Sequence, residues 1–348
     1  MTTRLPAEWE PQRLVLFAFP RADGDWEDQL DAVSFALVEA AIKVAAACPV
    51  LILIPDTAHF KRVGEAAGAA RINEAGIRLF PVPLNDSWVR DFGPITVFRN
   101  GAPTLLDFDF NGWGGKYPAA LDNAATARLH PNLPGDYGYE RIRLVLEGGS
   151  IDSDGAGTLL TTSACLLSGG RNGWTTKAEA ETALRQHLGA ERILWIDHGK
   201  LEGDDTDAHV DTLVRFLDAE TIAYVSCDDP ADPHYRELLA MRRRVEALRT
   251  AAGRPYRLVE LPWVPAIHAS DDGRRLPASY ANFLLCNGTL FLPTYCNDSL
   301  NQPAQWKSDA RAVGVLQRYG KYRVVPVDCR SFIEQHGALH CLTASLFE

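Results

Sequence analysis

Short apolar runs separated by helical patterns recur along the whole chain, and this alternation constrains the fold more than any other feature. Runs rich in Val, Ile, Leu and Phe are typical of strands, whereas apolar residues at spacings of three and four indicate helices. Because the runs are almost wholly apolar, we expect strands that are buried on both faces. Strands are predicted over residues 50–55, 95–98, 104–110, 142–146, 158–162, 192–196, 221–225, 282–286, 289–293 and 322–327.

Helical periodicity is present between these runs, and one helix has a recognisable start. Thr176 is a candidate N-cap with Glu179 three positions later, which is a capping-box pattern. The alternation predicts an α/β or mixed α+β class. We find no linker, low-complexity segment or break in composition, so one domain over residues 1–348 is expected. Helices are predicted over residues 26–47, 176–188, 234–251 and 304–318.

Clusters of polar residues and glycine stand at strand ends with a spacing of roughly 60–70 residues, five times over. This spacing predicts five structural repeats around an axis, each with a polar cluster at one end. A closed ring would bring the five clusters together. The clusters lie near residues 86–94, 147–157, 203–211, 275–282 and 337–343.

The charge and apolar patterns exclude some classes of protein. A net charge of −10 argues against a nucleic-acid surface, which is usually basic. The densest basic run, residues 242–244, lies in a helical pattern and is interpreted as a solvated helix face. No stretch reaches the ~18 consecutive apolar residues of a membrane span, and the N-terminus lacks signal-peptide features. We therefore expect a cytoplasmic protein without membrane or nucleic-acid partners.

The seven cysteines are scattered and none forms a C-x-x-C pair, so neither a zinc site nor a disulfide framework is predicted. A reducing compartment would leave Cys341 as a free thiol. Cys341 ends the stretch HGALHC, residues 336–341, which carries two histidines. If this stretch is a strand, His340 points away from Cys341, so the partner base of Cys341 is expected elsewhere in the fold.

The first polar cluster, NDSWVRDFGP (85–94), places Trp88, Arg90 and Asp91 next to an apolar strand. A flat cationic ligand suits this set, because the ring attracts the cation and carboxylates pair with its N–H groups. Arg90 has an equally good interpretation as one half of a structural ion pair.

The second cluster, LEGGSIDSDGAGTLL (146–160), has the form of a hairpin with a DG turn. Its glycines would let the backbone approach a ligand beside Glu147, although a buried, hydrogen-bonded Glu147 is the plainer interpretation. In the fourth cluster, Asn282 is either polar lining or a strand-edge hydrogen bonder.

The third cluster, GDDTDAHVDTLVRF (203–216), holds four carboxylates and a histidine within nine residues. If His209 and Asp211 lie on a strand, their spacing of two places both on one face. A histidine and an acid on one face favour catalysis, with His209 as the partner of Cys341. Since His-x-Asp can also chelate, a metal-dependent amidohydrolase that uses Asp205, His209 and Asp211 stays open, although no H-E-x-x-H motif is present.

A nucleophilic thiol needs a lowered pKa or a nearby base, and the surrounding acids would oppose the thiolate. A bound cation would reverse that effect, so the composition predicts activation of Cys341 by a cationic substrate. A guanidinium fits best, because it is flat, charged and able to bond several carboxylate oxygens.

Eight stretches of the sequence, taken in order, form a family pattern: AEWEP (7–11), DSWVRDFGP (86–94), DFDFNGWGGKYP (107–118), LEGGSIDSDGAGTLLTT (146–162), RN (171–172), DDTDAHVD (204–211), RLPASYANF (275–283) and HGALHC (336–341). Together they resemble the agmatine deiminases and bacterial-type peptidylarginine deiminases of the guanidino-modifying (pentein) superfamily. The resemblance covers nearly the whole chain and implies a five-bladed α/β propeller of ββαβ repeats. It also implies hydrolysis of agmatine to N-carbamoylputrescine and ammonia, in polyamine metabolism, without metal or organic cofactor.

Matching these motifs implies a set of site residues. Cys341 resembles the nucleophile and His209 the general acid/base, while Asp91 and Asp211 resemble the pair that grips the guanidinium. The same comparison predicts four substrate-binding residues, which are Trp88, Glu147, Asp205 and Asn282, and no metal ligand.

Some positions depart from the family pattern. Ala208 replaces the usual glycine before the catalytic His, Ala338 replaces an Asn near the nucleophile, and Asp205 stands where agmatine deiminases often carry Glu. These changes leave the far end of the substrate open, so another guanidino compound or peptidylarginine remains an alternative. An amidinotransferase and a non-catalytic binding protein are further alternatives, and a homodimer is common among relatives.

Overall fold

The computed structural model describes residues 2–55, 57–67, 69–296 and 302–348. Its strands form five small mixed sheets. In chain order the strands are β1 (Thr3–Arg4), β2 (Gln12–Ala18), β3 (Val50–Ile54), β4 (Arg78–Pro81), β5 (Ile95–Arg99), β6 (Ala102–Asp109), β7 (Gly138–Val145), β8 (Ile151–Ser153), β9 (Thr158–Thr162), β10 (Arg192–Ile196), β11 (Val214–Asp218), β12 (Thr221–Val225), β13 (Arg257–Leu261), β14 (Leu284–Cys286), β15 (Thr289–Thr294), β16 (Arg323–Asp328) and β17 (Thr343–Phe347).

The helices lie between the strands of a sheet or in the loops that join one sheet to the next. In the described part of the chain they are α1 (Leu30–Ala45), α2 (Thr57–Ala67), α3 (Ala69–Glu74), α4 (Val89–Phe92), α5 (Gly112–Gly115), α6 (Ala125–Leu129), α7 (Ser163–Leu166), α8 (Lys177–Leu188), α9 (Tyr235–Ala247) and α10 (Pro303–Tyr319). No helix among the described residues is long and apolar enough to cross a membrane.

Each sheet repeats one ββαβ unit. An antiparallel pair is followed by a helix and a third strand parallel to the second, as in β11–β12–α9–β13 and β14–β15–α10–β16. The other units are β5–β6–β7, β8–β9–α8–β10 and β17–β2–α1–β3. The five predicted repeats are therefore confirmed, and the fold is a five-bladed α/β propeller.

The ring is closed by strands from the two ends of the chain. β17 pairs antiparallel with β2 in a register that joins Thr343 to Phe17. This pairing covers the edge of β2 and fixes the turn before β17, which holds Cys341. The segment 336–341 is thus held at one end by this sheet.

All ten predicted strands overlap observed ones, but burial on both faces is wrong for the outer strands. β3, β9 and β12 are buried along their whole length, whereas β7 and β16 alternate with exposed positions. The strands β1, β2, β4, β8, β11, β13 and β17 had not been assigned.

The four predicted helices are α1, α8, α9 and α10, with ends shifted by a few residues. The capping box is confirmed, because the Thr176 hydroxyl accepts from the Glu179 amide and the Glu179 carboxylate accepts from the Thr176 amide. The basic run 242–244 lies on α9, with Arg243 exposed.

Candidate active site

A cavity of about 440 Å³, counted out to its open mouth, lies where loops of the blades converge. Cys341 and Asp91 are buried in its closed part, with 5% and 3% of their surfaces exposed. Trp88, Trp113 and Tyr117 form aromatic walls. The remaining acidic lining groups are Asp25, which is exposed, and the half-buried Asp86 and Asp205. Burial raises the pKa of Asp86 to about 8, so Asp86 is mostly protonated at pH 7.

Cys341 lies in a tight turn just before β17, and Asn282 holds that turn. The Asn282 Oδ1 atom accepts from the His340 and Cys341 amides at 3.0 Å and 3.4 Å. Its Nδ2 atom donates to the Cys341 sulfur at 3.2 Å. Burial raises the pKa of Cys341 well above its ordinary value, and the charges of Asp211 and Asp91 raise it further. Without a ligand, Cys341 is therefore a neutral thiol at pH 7.

The side chains of three predicted site residues, Asp91, His209 and Asp211, all pack against Gly149. A methyl group added at Gly149 would lie 2.7 Å from His209 Nδ1, 2.8 Å from Asp91 Oδ1 and 3.0 Å from Asp211 Oδ2. No larger residue fits there without moving these groups. The Gly149 amide also donates to Asp91 Oδ1 at 3.0 Å. The glycines after Glu147 thus bring the backbone against the polar groups, as their position in the sequence suggested.

His209 is fully buried, and only one of its ring nitrogens is engaged. Nε2 lies 3.3 Å from Glu147 Oε2, whereas Nδ1 has no hydrogen-bond partner within the described residues and lies 3.6 Å from Asp91 Oδ1. Burial alone would lower the pKa of His209, but the neighbouring Asp91, Cys165 and Glu147 raise it well above its ordinary value. His209 is therefore an imidazolium with one N–H available to a ligand.

The pKa values of the two carboxylates that flank His209 are shifted in opposite directions. Burial raises the pKa of Asp91 to about 6, with His209 opposing this and Asp211 adding to it. Burial acts in the same direction on Asp211, but the hydrogen bond and charge of His340 hold the pKa of Asp211 below its ordinary value. Asp211 Oδ1 has no partner in the described part of the chain, so it is an unused buried acceptor beside the thiol.

The site is backed by an ion pair between Glu147 and Arg171. Arg171 Nε donates to both oxygens of Glu147, at 3.0 Å and 2.7 Å, and its Nη1 atom donates to Asp207 at 2.7 Å. The Cys165 sulfur lies 3.7 Å from Glu147 Oε2. Glu147 therefore holds the ring of His209 from behind.

Some predicted placements need correction. Glu147 and Asn282 do not line the cavity, because Glu147 lies behind His209 and Asn282 lies beneath the Cys341 turn. His209 and Asp211 do not lie on a strand but in a 3₁₀ turn, Val210–Thr212, and its flank. His340 is likewise in a turn, where its ring bonds Asp211 rather than Cys341. No hydrogen bond joins His209 to Cys341 among the described residues. Cys341 lines the cavity, whereas His209 and Asp211 are fully buried behind its wall.

Four non-glycine residues near the site have a left-handed backbone, which costs each roughly 1 kcal/mol. Ala208, where the motif match predicts glycine, has φ +65°, and Trp113 has φ +54°; the others are Asp207 and His336. Asp204 Oδ2 stabilises the conformation of Ala208 by accepting from the Ala208 amide at 2.7 Å. Trp113 Nε1 donates to Asp91 Oδ2 at 2.9 Å, so the strained backbone presents a donor to a site carboxylate.

Several residues that shape the site had been given no role from the sequence. Trp113 and Arg171 lie in stretches that had been matched to the family, GWGG and RN, so the signal was present without an assignment. Their contacts join distant segments, which no local pattern reveals. The others are Glu8, Cys165, Arg215 and, as a partner of Asp211, His340.

The residues whose ligand atoms cluster closely enough to hold a metal ion differ from those of the metal-dependent amidohydrolase that the sequence left open. Among the described residues, the ligand atoms that come within 4.8 Å of one another belong to Glu147, Cys165 and His209. Arg171 bonds both oxygens of Glu147 there, and its charge opposes a metal cation. The set that was proposed from the sequence, Asp205, His209 and Asp211, does not form such a group.

A cysteine and an aspartate in the cavity wall, with a buried histidine and a second aspartate behind them, are typical of a thiol-dependent hydrolase. The model of the Porphyromonas-type peptidyl-arginine deiminase family matches residues 4–346. The agmatine deiminase of Ectopseudomonas mendocina is 32% identical, with 97% of this chain and 94% of that protein aligned. The chain belongs to this family and is a hydrolase of the agmatine deiminase type.

Solved structures agree with this assignment. A cysteine-to-serine variant of the C. jejuni agmatine deiminase with its substrate bound is 32% identical, with a TM-score of 0.87 over 99% of this chain and 96% of that one. A structure provisionally named a peptidyl-arginine deiminase is 38% identical, with a TM-score of 0.91 over 100% and 99% of the two chains.

Proposed function

We propose that this enzyme hydrolyses agmatine to N-carbamoylputrescine and ammonia. The observation that carries the proposal is the presence of carboxylates at both ends of one cavity. Asp91 lines the closed end with Cys341, and Asp211 is buried behind them, next to the Cys341 sulfur. Asp25 and Asp205 line the cavity farther out, together with Asp86, whose pKa burial raises to about 8. Agmatine carries a guanidinium at one end and an ammonium at the other, so each end meets opposite charge.

The guanidinium binds at the closed end. Asp211 Oδ1 and Asp91 supply acceptors for its N–H groups, and the ring of Trp88 covers its flat face. Asp91, whose pKa burial raises to about 6, is mostly ionised at pH 7, and a bound cation lowers that pKa and keeps the carboxylate fully ionised.

The bound cation then activates the nucleophile. Its charge offsets the anions that raise the pKa of Cys341, so the S–H proton passes to solvent water at the open mouth once substrate is present. The thiolate forms a C–S bond to the central guanidine carbon, which becomes tetrahedral. Because the thiol ionises only after the substrate has bound, the free enzyme never holds a buried thiolate among carboxylates.

His209 acts as a general acid toward the leaving ammonia and then as a general base toward the attacking water. Its Nδ1–H, which has no protein partner in the described part, protonates the leaving nitrogen, and the C–N bond breaks to give ammonia and an S-alkylthiouronium. Neutral His209 then takes a proton from water as the oxygen attacks the same carbon. Breaking of the C–S bond releases the ureido product and returns the thiol.

The cavity disfavours substrates with a carboxylate near the mouth. No Lys or Arg is among the described residues that line it, so the α-carboxylate of free arginine would face Asp25 and Asp205. A neutral peptide would leave those charges unused. This favours agmatine and a role in putrescine and polyamine biosynthesis; a homodimer and a cytoplasmic location stay predictions.

The test is ammonia and ureido product release from agmatine, arginine, a blocked peptidylarginine and a monoalkylguanidine, with Cys341→Ser as the control. We expect the highest kcat/KM with agmatine and no turnover by C341S. A higher kcat/KM with blocked peptidylarginine would contradict the proposed substrate, and undiminished activity of C341S would contradict the mechanism.

A further inference from the structure

His340 lies between two carboxylates, Glu8 near the start of the sequence and Asp211 in its middle. Its Nδ1 atom is 2.7 Å from Asp211 Oδ2, and its Nε2 atom is 2.7 Å from Glu8 Oε1. The ring is buried, with 2% of the residue exposed. Because ionised carboxylates only accept, both contacts are hydrogen bonds when each ring nitrogen carries a hydrogen. The ring is then fixed from both sides.

Glu8 is itself held rigidly. Its Oε2 atom accepts from Arg215 Nη2 at 2.6 Å and from the Leu285 amide at 3.0 Å. Its Oε1 atom also accepts from Arg90 Nη2 at 3.1 Å. Two guanidinium groups and an amide thus anchor this carboxylate, so Glu8 is a fixed support for His340.

His340 has no access to the substrate cavity. Together with Glu8, Arg90 and Asp152 it lines a second cavity, and no residue lines both cavities. Any effect of His340 on the substrate must therefore pass through the groups that it bonds. Of these, Asp211 is the one beside the Cys341 sulfur.

The two oxygens of Asp211 have different surroundings. Oδ2 accepts from His340 and lies 3.7 Å from the Cys341 sulfur. Oδ1 is buried and has no hydrogen-bond partner within the described residues. Holding Oδ2 in place fixes the direction of Oδ1, and a buried acceptor without a partner is suited to an incoming N–H group.

We propose that His340 is a positioning residue for the substrate guanidinium: it orients the Asp211 carboxylate, and Glu8 orients His340. The N-terminal segment that carries Glu8 thereby completes the grip on the substrate without touching it. This inference rests on the proposed function, because it takes a guanidinium as the group that Asp211 receives. Supporting residues of this kind set binding geometry to fractions of an ångström.

Two amide substitutions test the contacts of His340 with Asp211 and with Glu8 one at a time. In His340→Asn the amide nitrogen takes the place of Nδ1 and keeps the bond to Asp211, whereas in His340→Gln it takes the place of Nε2 and keeps only the bond to Glu8. We expect KM for agmatine to rise at least tenfold in H340Q and less than threefold in H340N. A residue that acts only by filling space would not distinguish the two.

Glu8→Gln provides a test that does not alter His340, with Glu10→Gln as its matched control. Glu10 lies in the same segment but pairs with Arg4, away from the site. We expect E8Q to raise KM more than it lowers kcat, and E10Q to leave both unchanged. Circular dichroism melts identify the variants that are folded.

Equilibrium binding of agmatine separates this inference from the proposed reaction. In a C341S background, the H340Q and E8Q substitutions should weaken binding at least tenfold by tryptophan fluorescence or calorimetry. Agmatine binding of parental strength in folded C341S/H340Q and C341S/E8Q would overturn the role of His340. A wild-type enzyme that binds agmatine but releases no ammonia would overturn the reaction and leave the binding test in force.

Discussion

The Cys341 sulfur lies 3.7 Å from Oδ2 of Asp211, so the proposed nucleophile rests beside an anion in the free enzyme. Most reactive thiols lie beside a cation or a base that lowers their pKa. Here burial raises the pKa of Cys341, and Asp211 is the first of the charges that add to it. The arrangement makes thiolate formation depend on a ligand of positive charge.

Asp211→Asn should therefore make the free thiol more reactive while abolishing catalysis. Removing the charge of Asp211 lowers the pKa of Cys341, but it also removes one of the two carboxylates that bind the guanidinium. The rate of Cys341 alkylation by iodoacetamide, followed by mass spectrometry from pH 6 to 10, should rise at lower pH in D211N. Asp197→Asn, a change at an ion pair remote from the site, is the control. Identical profiles for wild type and D211N would contradict substrate-assisted activation.

His209→Asn should reduce kcat for agmatine by roughly 10²–10⁴-fold, the usual contribution of a general acid/base. The amide can hold a hydrogen bond but cannot protonate the leaving nitrogen. Steady-state kinetics with agmatine would measure the loss. His187→Asn on α8, whose ring packs against Phe108, is the matched control and should retain wild-type kcat. A kcat within about tenfold of wild type in H209N would assign the proton transfer to another group.

The strands and their fivefold spacing could be predicted from the sequence because they depend on local composition. Apolar runs of five or six residues are long enough to identify buried strands, and Thr176 with Glu179 was a sufficient signal for the start of α8. β17 could not be assigned in the same way, because its stability comes from pairing with β2 at the other end of the chain.

The site could be predicted as a set of residues but not as a geometry. Spacing placed His209 and Asp211 on a strand, whereas left-handed Asp207 and Ala208 turn the chain into a 3₁₀ segment instead. The partnership of His340 with Glu8 spans 332 positions. Such contacts follow from closure of the ring, which no local pattern encodes.

Asp205→Asn should weaken recognition of the distal ammonium of agmatine. Asp205 lines the mouth of the cavity, where Tyr117 donates to its Oδ2 atom at 2.7 Å. We expect KM for agmatine to rise about tenfold, the equivalent of ~1.4 kcal/mol, with little change in kcat. KM for butylguanidine, which lacks the ammonium, should change little. Asp271→Asn, exposed and outside this cavity, is the control. An equal rise in KM for both compounds would show that Asp205 acts on the guanidinium end or on the fold.

Asp122 should make the folded protein less stable as pH rises through 7. Its Oδ1 atom accepts from the Asn85 and Asp86 amides at 2.7 Å and 3.3 Å, while Oδ2 is buried without a hydrogen-bond partner in the described residues. Burial raises the pKa of Asp122 to about 7, compared with about 3.9 for an unfolded Asp. Between these values the folded state keeps a proton that the unfolded state has lost, so this contribution is complete below pH 4 and disappears as pH passes 7.

Asp122→Asn removes this titration with little change in shape, since the amide keeps the Oδ1 acceptor and replaces the unpaired Oδ2. The free energy of unfolding, measured by urea denaturation at pH 5.5 and pH 8, should fall less with pH in D122N than in wild type. We expect a difference of about 2 kcal/mol between the two pH dependences, because the interval from pH 5.5 to a folded pKa of about 7 is roughly 1.5 units and one unit corresponds to ~1.4 kcal/mol. Other titrating groups cancel in the comparison. Parallel pH dependences for the two proteins would mean that Asp122 is already ionised in the folded state at pH 5.5.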